Sequence, residues 1–166
     1  MQTPESTPEH GADYYKGMSD QYRISKGLPF RSTVELPGFL NVLGKLDSED
    51  VADVGCGEGF YTRIVAGQTS GRVVGIDISE GMVELARTQK IDEREVEYYV
   101  GDCSQPMSFP NHQQFDVVTT GFVLTYARSA SMLKSFLTSI YDLVKPGGRF
   151  VGININPFFT TDLYHH

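Results

Sequence analysis

Asp53-Val54-Gly55-Cys56-Gly57-Glu58-Gly59 decides the reading of this chain. A short apolar run, Val51–Val54, leads into it, and residues 60–68 follow with helical spacing. A four-residue apolar run before a glycine-rich turn suits a strand buried inside a parallel sheet. The glycines let the chain reverse sharply and bring its backbone close to a ligand. Open α/β sheets bind ligands at the carboxyl ends of their strands, where this loop falls. An ordinary strand–helix turn would use a similar loop, so the flanking sequence has to discriminate.

Working outward, residues 72–76 read as a second strand and 79–90 as a helix capped by Ser79, with Met82, Val83, Leu85 and Ala86 on its apolar face. Residues 96–100 and 115–120 read as further strands. Residues 129–144 read as a long amphipathic helix burying Leu133, Phe136, Leu137, Ile140 and Leu143 or Val144. Lys145-Pro146-Gly147-Gly148 ends it. Residues 149–156 form a fifth strand, apolar enough to be buried on both faces. This alternation predicts an α/β fold: a doubly wound, mostly parallel Rossmann-like sheet with helices on both faces.

Upstream, residues 1–11 read as a flexible arm and 12–46 as a helical cap. The cap holds a tyrosine-rich helix at 13–25, with Tyr14, Tyr15 and Tyr22. A second helix starts near Ser32, with Glu35 completing a capping box and Pro37 in its first turns. Residues 47–166 form the core domain.

The chain has 166 residues, 40% of them hydrophobic, which suits one domain with a real core. Lys and Arg number 14 against 21 Asp and Glu, a net charge of −7. Such a surface repels phosphate backbones, so nucleic acid is not an expected partner. Cys56 and Cys103 suggest neither a disulfide framework nor a metal site, and a reducing, cytoplasmic compartment is expected. No stretch approaches the roughly 18 apolar residues of a membrane span.

Asp77 narrows the chemistry. It ends the second strand, roughly 20 residues beyond the loop, where an acidic residue accepts hydrogen bonds from ribose hydroxyls. Loop and Asp77 together point to an adenosine-type cofactor; an aspartate serving only a helix N-terminus is the alternative. A dinucleotide site would need glycine where Phe60 stands, so that a pyrophosphate can approach the helix N-terminus. Glu58 inside the loop would also repel a pyrophosphate. These two residues disfavour a nicotinamide oxidoreductase. S-adenosylmethionine carries a cationic ammonium and sulfonium and no phosphate, and Asp53 and Glu58 suit such a ligand.

Residues 51–66 resemble the first motif of class I S-adenosylmethionine-dependent methyltransferases. Gly75-Ile76-Asp77-Ile78-Ser79 with Met82, Gly101-Asp102-Cys103, Phe115-Asp116-Val117-Val118, and Leu143-Val144-Lys145-Pro146-Gly147-Gly148-Arg149 resemble the segments that follow it. The likeness covers roughly residues 30–156, in the family's order, and is nearest to the small-molecule branch that includes ubiquinone/menaquinone and toxoflavin-type methyltransferases. It implies that residues 47–166 bind S-adenosylmethionine, release S-adenosylhomocysteine, and methylate a small-molecule acceptor. By the same resemblance Gly55, Cys56 and Gly57 pass under the methionine part, and Asp53 holds the ammonium. Asp77 binds the ribose, and Ile78 and Met82 pack on the adenine. Asp102 and the Cys103 backbone bond the adenine edge, and Thr120 and Gly121 line the methionine. Met82 also fits ordinary core, and Cys103 a small buried filler.

Tyr14, Tyr15, Tyr22 and Phe30 are candidates for a lid, Arg31 for the cofactor carboxylate, and Phe122 and Tyr126 for the acceptor cleft. Covering the sheet, or lying in solvent, are their plainer alternatives. Methyl transfer is an in-line displacement that proximity and water exclusion can drive. No histidine falls near the expected cleft, so no general base is assigned. The resemblance also implies a helix and a β-hairpin after strand five, whereas this sequence ends at His166. A sheet truncated after strand five would expose an edge, and either self-association through it or a longer full-length parent is expected. A non-catalytic module that binds the cofactor and works with a partner is the alternative.

Overall fold

Strand and helix alternate from residue 51 onward, and hydrogen bonding joins the strands into one sheet. The computed structural model describes residues 29–89, 94–107 and 114–155. Within them a π-helical turn, Arg31–Glu35, runs into α1 (Leu36–Leu43). Then come β1 (Val51–Val54), α2 (Phe60–Ala66), β2 (Val73–Asp77), α3 (Glu80–Thr88) and β3 (Glu97–Val100). β4 (Phe115–Gly121), a 3₁₀ turn (Val123–Tyr126), α4 (Ala130–Leu143) and β5 (Val144–Ile153) complete the order. All strand pairs are parallel, arranged β3-β2-β1-β4-β5. The predicted doubly wound α/β sheet is present. The arm at 1–11 and the helix at 13–25 with Tyr14, Tyr15 and Tyr22 lie outside the described residues.

Alternate strand residues feed opposite faces. Val51 and Val117 join Phe39, Leu43 and Val65 in one core. Ala52, Val54 and Val118 join Phe136, Ile140 and Leu143 in the other. So α1 and α2 cover one face and α4 the other. α3 closes the first face beyond β2, where Val83 and Ala86 pack on Cys56 and Tyr98. From β1 the chain steps to β2 and β3 on one side, then crosses to β4 and β5 on the other. The strand order therefore reverses between β1 and β4, and the loops beyond the carboxyl ends open a crevice there.

Several helix ends differ from expectation. Ser79 caps α3 as predicted, accepting from the Met82 N–H. The Ser32–Glu35 capping box does not form. Ser32 and Thr33 donate instead to the Pro29 carbonyl, and Glu35 turns toward α2. Pro37 has no N–H and its ring crowds the carbonyl a turn earlier, so the chain passes through a wider π turn before α1 begins. On α4, Phe136, Ile140 and Leu143 are buried as predicted, but Leu133 and Leu137 are exposed. α4 carries two apolar stripes, and the sheet takes the one through Met132, Phe136, Ser139 and Leu143.

β5 starts earlier than predicted, at Val144. Lys145-Pro146-Gly147-Gly148 is a bulge within it: Phe115 pairs with Val144, and Val117 already pairs with Arg149. Lys145 there reaches Asp116 at 2.9 Å and Asp50 at 3.3 Å. Nor is β5 buried on both faces; Val151 is buried while Phe150 is 39% exposed, because the strand ends the sheet among the described residues. No helix of the described residues is long and apolar enough to cross a membrane.

Gly75 is packed face-on by the α3 side of the core. A Cβ there would stand 2.6 Å from Tyr98 Cδ1 and 3.0 Å from Cys56 Sγ. Gly75→Ala should cost about 1–3 kcal/mol through overpacking. Urea unfolding should show a lower midpoint at an unchanged slope. An unshifted midpoint would mean that Tyr98 moves aside freely.

Candidate cofactor-binding site

The loop after β1 is fastened to the end of β2. The Gly55 and Cys56 N–H groups both donate to the Ile76 carbonyl, at 2.8 and 2.9 Å. The Gly57 N–H donates to Asp77 Oδ2 at 2.8 Å, and the Ser79 N–H to Asp77 Oδ1 at 2.9 Å. Gly55 has φ +72 and packs under the 3₁₀ turn, so that a Cβ there would lie 2.6 Å from Val123 Cγ2. Only glycine fits that position. One strand further out, Asp102 accepts from the Ser104 N–H at 2.8 Å and the Ser104 hydroxyl at 2.7 Å, which orients its carboxylate.

These loops surround a cavity of about 700 Å³, within the range of small-molecule sites. Its wall includes Gly55, Gly57, Asp77, Ile78, Met82 and Asp102 from the predicted set. Cys103, Gly121, Arg31, Phe122 and Tyr126 also line it. The structure thus gathers most of the predicted residues at one place.

Asp53, Cys56 and Thr120 do not line this cavity. Asp53 is 1% exposed, and its carboxylate takes hydroxyl bonds from Thr62 at 2.6 Å and Thr119 at 3.0 Å. Cys56 points under the loop into the core beside Val83 and Ala86. Thr120 is buried where β4 meets Gly152. Glu58, expected beside a cationic ligand, turns away and pairs with Arg63 at 2.8 Å.

Burial raises the Asp77 carboxyl above its ordinary value, against the pull of the Ser79 and Gly57 N–H groups. The carboxylate has about four acceptor positions. Two N–H bonds leave room for two hydroxyls. Burial pushes the Cys103 thiol up to about 11, with Asp102 adding to it. Burial, with the Asp53 and Asp77 charges adding to it, raises the Cys56 thiol well above its ordinary value. Both stay protonated at neutral pH, which removes a thiolate nucleophile from the site.

Other wall residues were read differently in the sequence. Phe136 looked like plain helix core, yet with Met132, which the sequence reading did not single out, it also lines the cavity. Glu35 looked like a helix cap. It accepts instead from the Tyr61 hydroxyl and lies 3.7 Å from Arg31. Arg31 in turn stands over the Phe122 ring, 6.0 Å from its centroid. Arg128, on the polar stretch before α4, completes the rim.

A parallel sheet whose first loop is built on glycine, with oriented carboxylates after β2 and β3, defines an α/β domain for an adenosine-bearing cofactor. The family described as methyltransferase domain matches residues 52–152. The demethylmenaquinone methyltransferase of Symbiobacterium thermophilum is 32% identical over 115 residues, 68% of this chain and 45% of that protein. The ubiquinone biosynthesis O-methyltransferase of Pseudomonas entomophila is 32% identical over 114 residues, 68% of this chain and 47% of that protein. The solved DhpI complex with S-adenosylmethionine superposes with TM-score 0.71 at 24% identity, over 92% of this chain and 70% of that one, a likeness of fold. The chain belongs to the class I S-adenosylmethionine-dependent methyltransferases. It spans less than half the length of these two relatives.

The Asp77 geometry predicts a binding loss. Each hydrogen bond to an ionised, partly buried carboxylate is worth about 1.5–3 kcal/mol. Asp77→Ala should therefore weaken S-adenosylhomocysteine about tenfold or more. Because burial raises this carboxyl, wild-type affinity should fall with acidification at pH values where an ordinary aspartate is still ionised, and Asp77→Asn should lack that dependence. Calorimetry across pH checks both. An unchanged dissociation constant in folded Asp77→Ala would remove the residue from the site.

Proposed function

We propose that this chain binds S-adenosylmethionine in the cavity at the β1–β4 switch point and passes its methyl group to a small-molecule acceptor. The single observation that carries the reading is the Gly57–Asp77 arrangement, a backbone cradle beside a buried carboxylate with acceptor positions to spare. The donor set fits the cofactor: carboxylates on the β2 and β3 side, and apolar walls from Ile78 and Met82. When bound, the cofactor supplies an electrophilic methyl group on a sulfonium.

The chain's own work is to bind, orient and exclude water. Asp77 would fix the ribose, and Asp102 the adenine edge. Ile78 and Met82 would hold the base plane. Val54, Phe122 and Val123 line the cavity with carbon on the β1 and β4 side, where a displacement in line with the sulfonium gains from a dry, ordered setting. The surface, at net charge −7, favours a small acceptor over nucleic acid. Free, protonated Cys56 and Cys103 suit a reducing cytosol. We also infer pairing of two copies along β5, whose outer edge has no partner strand among the described residues.

Incubation with methyl-labelled S-adenosylmethionine and a pool of small metabolites should label a product of low molecular mass. Light scattering should show a dimer. Tight cofactor binding with no labelled product would replace the enzyme by a binding module, and a strict monomer would remove the β5 contact.

A further inference from the structure

Arginine side chains in this domain are bonded almost everywhere. Arg31 faces Glu35, Arg63 pairs with Glu58, and Arg72 with Glu97. Arg87, Arg94 and Arg149 donate to backbone carbonyls. Arg128 is the exception: no ion pair or hydrogen bond ties its guanidinium to any of the described residues, in a chain of net charge −7. It is exposed, and on an open surface a hydrated arginine would be ordinary. Arg128 stands instead in the wall of the cavity, between the 3₁₀ turn after β4 and the start of α4. Around the same cavity Phe30, Tyr126 and Ile155 are left exposed. Single apolar side chains scattered over a surface need no explanation, but several around one cavity mark a contact for an apolar body. The carboxylates of Asp77 and Asp102 line the cavity from the β2 and β3 ends, across β1 from the β4 turn.

We propose that Arg128 selects an acidic acceptor: a small apolar or aromatic molecule whose anionic group the guanidinium binds while its body lies against Tyr126 and Ile155. The assignment rests on the methyl-transfer reading above and adds the charge class of the acceptor and the residue that reads it. Small-molecule sites are mostly apolar, and a few placed polar groups set the orientation of the ligand. A guanidinium binds an oxyanion through two parallel N–H bonds and stays charged throughout the physiological range. Having no carboxylate partner among the described residues, Arg128 gives up no ion pair when a ligand's anion arrives. Arg31, on the same cavity, would have to share its charge with Glu35. Sign also fixes direction. Asp77 and Asp102 repel an anionic acceptor from the β2 and β3 side, and Arg128 draws it toward the β4 turn. The anionic group is held rather than methylated, so the product keeps its charge.

Two fluorescent probes test the site before the acceptor is known. 8-Anilinonaphthalene-1-sulfonate is an aromatic anion, and N-phenyl-1-naphthylamine is the same molecule without the sulfonate. Each is titrated into the protein saturated with S-adenosylhomocysteine. Arg128→Gln should weaken the sulfonate about tenfold, the loss of a charge-assisted bond, and leave the neutral amine unchanged. Arg128→Lys, which keeps the charge and loses the fork, should recover part of the loss. Calorimetry should show the same S-adenosylhomocysteine affinity in both variants as in wild type. In the labelling assay the wild-type product should be retained on an anion exchanger, and Arg128→Gln should raise KM for that acceptor about tenfold at nearly constant kcat. Equal weakening of the two naphthalene probes, or weaker S-adenosylhomocysteine, in Arg128→Gln would mean a structural or cofactor role and overturn the proposal. So would a wild type that does not bind the sulfonate, sulfonate binding unaltered in Arg128→Gln, or a labelled product that passes the exchanger uncharged. Cofactor binding with no labelled product would remove the methyl-transfer reading instead, and the two probes would still decide whether Arg128 binds an anion.

Discussion

The hydrogen bond from the Gly57 N–H to the Asp77 carboxylate, 2.8 Å long, joins the loop after β1 to the end of β2. The cradle depends on it. A loop of glycines has many conformations, and ordering it costs entropy. The Ile76 carbonyl and Asp77 carboxylate absorb three consecutive loop N–H groups and so select one conformation. The same carboxylate also takes the N–H of Ser79, the residue that caps α3. One side chain therefore holds the loop, the strand end and the helix start together. The cost is a charge kept in a poorly solvated place, which is why the carboxyl is raised.

Charge is sorted along the crevice by the topology. The carboxylates of Asp77 and Asp102, at the β2 and β3 ends, line one side of it. Across the switch point the π turn brings a cation and an anion into one wall. The acidic residues nearest the glycines in sequence do other work. Asp53 ties β1 to α2 and β4 through two threonine hydroxyls, and Glu58 anchors α2 through Arg63. A buried carboxylate satisfied by neutral hydroxyls and a closely paired carboxylate both serve packing.

The sheet and its order of elements were legible because period and punctuation agreed: apolar runs, a capping Ser79, glycines after strands. The Gly55, Gly57, Asp77 and Asp102 positions were legible for the same reason, since each sits at a strand end. Residues that depend on how elements pack were not. Asp53 sits in the motif yet faces backward, because at its register beside Gly75 and Thr119 its side chain points into the helical face. Leu133 and Leu137 match helical periodicity as well as Phe136 does, and only the sheet's position chooses between the stripes. Glu35 fitted a local capping pattern, and Pro37 overrode it by forcing a wider turn. Nothing local in the sequence signals the Tyr61 contact 26 positions away.

The bulge at Lys145 gives the domain an ordered response to acid. Asp116 sits below its ordinary value, held first by the Asp50 N–H and then by Lys145. A depressed folded value means that this contact contributes stability above pH 3.8, the ordinary aspartate value, and loses it only as pH falls through the lower folded value. Asp77 is displaced the opposite way, so its protonation begins above 3.8 and relieves a burial penalty on the fold. The two ends of the sheet thus titrate in sequence, the Asp77 carboxylate first and the ionic clasp second. Acid therefore reaches the loop-holding carboxylate at the crevice before it reaches the clasp at the opposite end of the strands.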